Sequence, residues 1–146
     1  MRTDLKRLIA AGAAAAALTA CTTGPHFPEW AISPCHDTSV ILYFDTDSDA
    51  VPDVGRQIVD ITAKRLARCR IREIRLLGLA DAGGEPAAKL DLSKRRADHV
   101  LDAFVQAGLA VPHYTLTAAG DKGAVSAKGA IEPMRRRVNV TVVVQR

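Results

Sequence analysis

Leu92-Ser93-Lys94-Arg95-Arg96-Ala97, taken with Gly78-Leu79-Ala80-Asp81 upstream, decides how this chain folds. The upstream piece closes an apolar run, Arg72-Glu73-Ile74-Arg75-Leu76-Leu77-Gly78, which alternates loosely in the manner of a strand. The downstream piece lies inside a long helix that Pro86 opens and that runs to about Ala107, where Gly108 is placed to end it. Leu90, Ala97, Val100, Leu101, Phe104 and Val105 form one apolar stripe on that helix, and the stripe must cover the strand. Lys89 and Arg96 fall within about 20° of each other on the flank of the stripe, so they border the core rather than open water. Asp81-Ala82-Gly83-Gly84-Glu85 is the connecting loop. An acid at the strand end and an arginine on the helix then face one another across it. Such a site suits a ligand that carries both an ammonium and a carboxylate.

Working outward, Ser39-Val40-Ile41-Leu42-Tyr43-Phe44 reads as a buried first strand by composition and length. Asp45-Thr46-Asp47-Ser48-Asp49 is a turn rich in carboxylates, and Pro52 then opens a helix to about Arg68 with Val54, Ile58, Ile61 and Leu66 at helical spacing. The acids do not make a calcium loop, because the glycine and distal bidentate Glu of an EF-hand are missing; they read as solvated acids at a helix start. Tyr114 to Ala119 reads as a third strand and Gly120 to Glu132 as a loop. The last strand spans Arg136 to Val144, with Val138, Val140, Val142 and Val144 on one face. The order is β-α-β-α-β-β. Strand–helix–strand crossovers imply parallel neighbours and the closing pair is open to an antiparallel arrangement. The expected fold class is α/β in the sense of an α+β sandwich: two helices packed on a small mixed sheet, whose other face is partly solvated or covered by the tether.

The chain of 146 residues has room for one domain and a targeting segment. Met1 to Arg7 is a basic head, and Leu8 to Leu18 is an apolar run too short to span a bilayer, so residues 1–20 read as a secretory signal. Leu18-Thr19-Ala20-Cys21 resembles the lipobox of bacterial lipoproteins, which implies lipidation of Cys21 and cleavage before it. Thr22, in place of an aspartate, favours the outer over the inner membrane. Residues 21–38 form a lipidated, proline-containing tether and residues 39–146 the folded domain. Without the signal the net charge of +4 falls to about +2, and aromatic residues make up 4% of the chain, so nucleic acid is not an expected partner. With Cys21 lipidated, Cys35 and Cys69 remain in an oxidising compartment. Cys35 precedes the first strand and Cys69 ends the helix that runs back beside it, so a disulfide between them is expected. Metal binding is not expected, because His36 has no second pair of ligands at metal spacing.

Four blocks together resemble the OmpA-like peptidoglycan-binding domain, most of all its peptidoglycan-associated lipoprotein branch: the strand and turn at 40–48, Gly78-Leu79-Ala80-Asp81, Leu92 to Ala97, and Arg136-Arg137-Val138. They occur in the family's order and spacing over nearly the whole domain. The resemblance implies the fold of the OmpA C-terminal domain. It also implies a clamp in which Asp81 and Arg96 hold the diaminopimelate of the cell-wall stem peptide. Asp81 would accept the ligand ammonium and Arg96 would fork its carboxylate. Backbone amides of the Asp45–Asp49 turn, and Arg137 as the second arginine before the last strand, would complete the pocket. Lys89 departs from the asparagine usual there and adds a second cation beside Arg96. Ala80 replaces a frequent threonine, Arg135 stands where asparagine is common, and the loop at 120–132 is shortened. The function implied is a non-catalytic lipoprotein at the periplasmic side of the outer membrane, tied to peptidoglycan and needing no cofactor. The alternative is an envelope module that has lost wall binding and docks to other proteins, such as those of the Tol system. No nucleophile–base pair supports a hydrolase: His36 beside Cys35 is not one, and His99 has no partner at suitable spacing.

Overall fold

A computed structural model describes residues 35–123 and 133–145. The signal segment, Cys21, most of the tether and the greater part of the 120–132 loop lie outside the described residues. Strand β1 (Thr38–Tyr43), helix α1 (Asp53–Leu66), β2 (Ile71–Gly78), helix α2 (Pro86–Gln106), β3 (Tyr114–Ala118) and β4 (Arg137–Val144) follow in chain order, with a 3₁₀ turn at Pro133–Arg135 before β4. Among the described residues, no helix is long and apolar enough to cross a membrane.

The four strands form one sheet in the order β1-β4-β2-β3. β2 and β3 are parallel, while β4 is antiparallel to both β1 and β2. The crossover reading therefore holds for β2 and β3 and needs correction for β1 and β2. Those two run in the same direction but are not neighbours, because the last strand inserts between them. The reason lies in β4 itself. Val138, Val140 and Val142 are 0–1% exposed and Val143 and Val144 are also buried, so this strand gains most from a central position.

Both helices cover one face of the sheet, and the core lies between the layers. On α1 the buried residues are Gly55, Val59, Thr62, Ala63 and Leu66. Val54 and Ile61 are 66% and 67% exposed, which corrects the expected stripe. Gly55 sits where space is short: a Cβ there would stand 3.0 Å from Val51 and 3.4 Å from Leu42 of β1, so a larger side chain has little room.

The expected stripe on α2 is corrected in the same way. Leu90 and Val105 are about half exposed, and the buried face passes through Lys89, Leu92, Ser93, Arg96, Ala97, Val100 and Phe104. Lys89 and Arg96 thus belong to the buried face rather than to its border. Gly108, with φ +85°, ends the helix as expected. Its N–H donates to the carbonyl of Val105 and that of buried Leu109 to the carbonyl of Phe104, the bond pair of a Schellman cap. Beside α1, Cys35 and Cys69 are joined by a disulfide with their Cα atoms 5.4 Å apart. The opposite sheet face is mixed and partly solvated: Ile41 and Tyr43 lie half exposed on it beside the hydroxyls of Ser39 and Thr141, which meet at 3.2 Å, and Thr115 donates to Glu73 at 2.7 Å.

Candidate ligand site where the second strand meets the second helix

The site starts from a close crossing of two backbones. A Cβ on Gly78 would lie 2.0 Å from the carbonyl oxygen of Ser93, so only glycine lets α2 rest on the end of β2. Ser93 is fully buried; its hydroxyl donates to the Leu90 carbonyl at 2.8 Å and accepts the Gly120 N–H at 3.0 Å. Ala97 packs one turn on, 3.3 Å from the same virtual Cβ. Beyond Gly78 the chain is held by backbone bonds from Leu79 N–H to Arg137 and from Ala80 N–H to Gly120, which carry Asp81 into the interior at 7% exposure. The two quoted motifs are thus one packing unit.

Arg96 leaves this crossing for the turn after β1. Its side chain is 0% exposed, and three backbone carbonyls take its donors: Nε to Ser48 at 2.7 Å, Nη1 to Leu79 at 3.2 Å and Nη2 to Asp45 at 3.0 Å. The guanidinium also stands 5.1 Å from the centroid of the Phe44 ring, a cation–π contact. Burial pushes its pKa down, yet an arginine starts so high that the group stays charged. The turn suits this cage. Asp47 adopts φ +52°, a left-handed conformation that aspartate tolerates better than most residues, and the carbonyls on either side face the guanidinium. The turn meets Arg96 with its carbonyls, where its amides had been expected to face a ligand.

Lys89 fills the space between the turn and Asp81. Its Nζ lies 2.7 Å from Asp47 Oδ1 and 3.4 Å from Asp81 Oδ1. The hydrogen bond and charge of Lys89 hold the Asp47 carboxyl below its ordinary pKa, and Asp47, ahead of Asp81, raises that of Lys89. Asp81 Oδ2 lies 3.4 Å from Nη1 of Arg136. Asp81 therefore pairs with Lys89 and Arg136, and Arg96 acts on it only through space. Arg95 adds a further tie, with Nε 2.7 Å from Asp49 Oδ2, so that one side of α2 clamps the whole acidic turn.

The sequence-selected residues thus do not all converge. Asp81, Lys89, Arg96 and the backbone of Asp45 share the site. Arg137 does not: its guanidinium donates to the Met134 carbonyl at 3.1 Å, and its place opposite Tyr43 in the sheet puts it on the face away from the helices. Arg136 and Asp47 take part and had not been singled out. Strand periodicity carries the signal for Arg136, which is two residues before Val138 and so shares the face of the buried valines. The cluster holds three cations, Lys89, Arg96 and Arg136, against the carboxylates of Asp47 and Asp81, a net charge of +1.

The profile of the OmpA family matches residues 43–138, which include every element of this cluster. The chain belongs to the OmpA family. Among solved structures it is similar to the OmpA-like domain of FopA1 from Francisella tularensis, with TM-score 0.62 and 18% identity over 75% of this chain and 77% of that one. It is also similar to the peptidoglycan-associated lipoprotein from Burkholderia pseudomallei, with TM-score 0.55 and 22% identity over 72% and 89%. A third similar structure is the cell wall anchor of the T6SS from Pseudomonas aeruginosa, with TM-score 0.57 and 22% identity over 75% and 82%. At these identities the likeness is one of fold. No curated protein sequence matches the chain.

Proposed function

We propose that this OmpA-family chain binds peptidoglycan without catalysis and links the outer membrane to the cell wall. Cys21 is its lipid anchor, the segment before Ser39 its tether, and the periplasm its compartment. The ligand is the free end of diaminopimelate in a stem peptide. The observation that carries this reading is a buried acid, Asp81, paired with a part-exposed Arg136 and standing beside a buried, carbonyl-caged Arg96 at the end of β2. Stability alone does not call for this arrangement, since a buried charge cluster is often no more stabilising than apolar packing of the same volume. The names of the Burkholderia lipoprotein and the Pseudomonas wall anchor lend support. Co-sedimentation of the full chain, in detergent, with purified sacculi tests it. The wild type should pellet, and Asp81→Ala and Arg96→Ala should stay in solution while keeping a folded circular-dichroism spectrum. Equal pelleting of folded variants and wild type would remove the site assignment.

One observation favours a second reading, a module that has lost wall binding and docks to envelope proteins: the Asp81 carboxylate is already engaged by Lys89 and Arg136. A wild-type chain that stays in solution with sacculi, under conditions where it is folded, selects this reading.

A further inference from the structure

Lys89 does more than depart from the usual residue: its ammonium sits on Asp81, where a ligand ammonium would have to sit. The Asp81 side chain is 11% exposed, with one oxygen toward Lys89 and the other toward Arg136. Lys89 is equally enclosed and is held from its other side by Asp47 at 2.7 Å. A second ammonium brought to Asp81 would therefore meet a like charge in a poorly hydrated place, where such repulsion is strong. The carboxylate half of the site is differently disposed. Arg136 has a side chain 29% exposed, only a 3.4 Å contact to Asp81, and a buried Nε without a hydrogen-bond partner. Three of the five N–H donors of Arg96 are satisfied by carbonyls, which leaves two. Among the side chains paired directly at Asp81, Lys89 and Arg136 outnumber the single carboxylate.

We propose that Lys89 is a specificity-determining residue that supplies the ammonium from within, so that the site selects a carboxylate whose neighbouring amine is acylated. In a cell wall this chemistry is found where the side-chain amine of diaminopimelate has been consumed in a cross-link while the carboxylate on the same carbon stays free. The chain would then read cross-linked stem peptides, rather than prefer those with a free amine. Arg136 is the group that meets the incoming carboxylate, with Arg96 behind it as fixed positive charge. This inference rests on the peptidoglycan reading above and refines it.

The test uses calorimetric titration of the full chain, in detergent, with two probes: an L-Ala-D-Glu-diaminopimelate tripeptide, and the same peptide acetylated on the side-chain amine. Wild type should bind the acetylated probe at least as tightly as the free-amine probe. Lys89→Asn should reverse the order and favour the free amine by about tenfold or more, as expected when a like-charge clash is removed from a buried site. Lys89→Gln, which keeps more of the side-chain length, should do the same, so the result does not depend on one variant folding. Amidation of the side-chain carboxyl should abolish binding of either probe. A wild type that prefers the free amine tenfold, or a preference unchanged in both folded variants, overturns the proposal. So does a chain that pellets with sacculi yet binds neither probe, which would leave wall binding intact but place the recognition elsewhere. Failure to pellet with sacculi and to bind either probe would overturn the peptidoglycan reading itself.

Discussion

Replacing Gly78 by alanine probes the crossing on which the site depends. The new Cβ would stand 2.0 Å from the Ser93 carbonyl oxygen and 2.8 Å from its carbon, both main-chain atoms. A carbon–oxygen contact needs roughly 3.3 Å, so α2 must retreat by about 1.3 Å at this level. Rotating a side chain cannot relieve the clash. The retreat opens the Ser93–Gly120 bond of 3.0 Å and draws Arg96, one turn on, away from carbonyls now 2.7–3.2 Å distant. Overpacking of this kind costs about 1–3 kcal/mol, and weakening charge-assisted bonds to a buried guanidinium adds about 1.5–3 kcal/mol. A loss of about 2.5–6 kcal/mol is therefore expected, a large part of a typical domain's stability. Urea unfolding followed by far-ultraviolet circular dichroism measures it: the midpoint should fall at nearly unchanged slope. Sacculus binding should weaken together with stability. If Gly78→Ala unfolds within about 0.5 kcal/mol of wild type, the scale of an ordinary surface change, the close crossing is not what holds Asp81 and Arg96 in register.

Three further outcomes are expected. Arg136→Ala should reduce wall binding about tenfold or more, in line with loss of a charged contact, whereas Arg137→Ala on the opposite face should leave it within twofold. The reverse ranking in a pelleting assay would contradict the placement of the two guanidiniums. Reduction of the disulfide that spans 34 residues should cost about 3–4 kcal/mol by loop closure. That lowers Tm by roughly 13–18 °C, and an unchanged melting curve after verified reduction would count against it. Asp47, held down by Lys89, should titrate below the ordinary value of about 3.9. A depressed carboxylate contributes above its unfolded pKa and loses that contribution as pH falls through the folded value, so the Asp47–Lys89 link should persist at neutral pH and release only below about 3.9. A side-chain carboxyl NMR titration with a midpoint at or above that value, or one unmoved by Lys89→Met, would refute the link.

What was legible in the sequence followed the physics each pattern encodes. Local signals read well. Gly108 ends α2, Pro86 opens it, and the alternate valines of β4 face the core, because caps and strand alternation depend on residues near in sequence. Sheet order read less well. The crossover rule gives the common direction of β1 and β2, but which strand lies between them is decided by competition for burial among distant segments, and β4 wins with five buried valines. The helix faces were misphased for a different reason. A search for apolar stripes counts Val54, Ile61, Leu90 and Val105 as core and passes over Gly55, Ser93 and Arg96. These last three are buried because small volume permits close backbone approach, or because main-chain carbonyls solvate a charge. The site divided along the same line. Asp81 and Arg96 stood out through their motifs. The choice of Arg136 over Arg137 follows the alternation of β4, whereas the tie from Lys89 to Asp47 depends on where a turn and a helix meet in space.

We propose that wall peptide binds where β2 ends, α2 crosses and the acidic turn closes. Backbone amide shift mapping on the full chain, titrated with a cross-linked diaminopimelate muropeptide that carries both an acylated and a free side-chain amine, checks this placement. The expected shifts gather at Asp45 to Ser48, Leu79 to Asp81, Lys89 to Arg96 and Arg136, and saturate together. A saturable response on the outer side of α1 around Val54 and Ile61, or none at millimolar peptide, would contradict it.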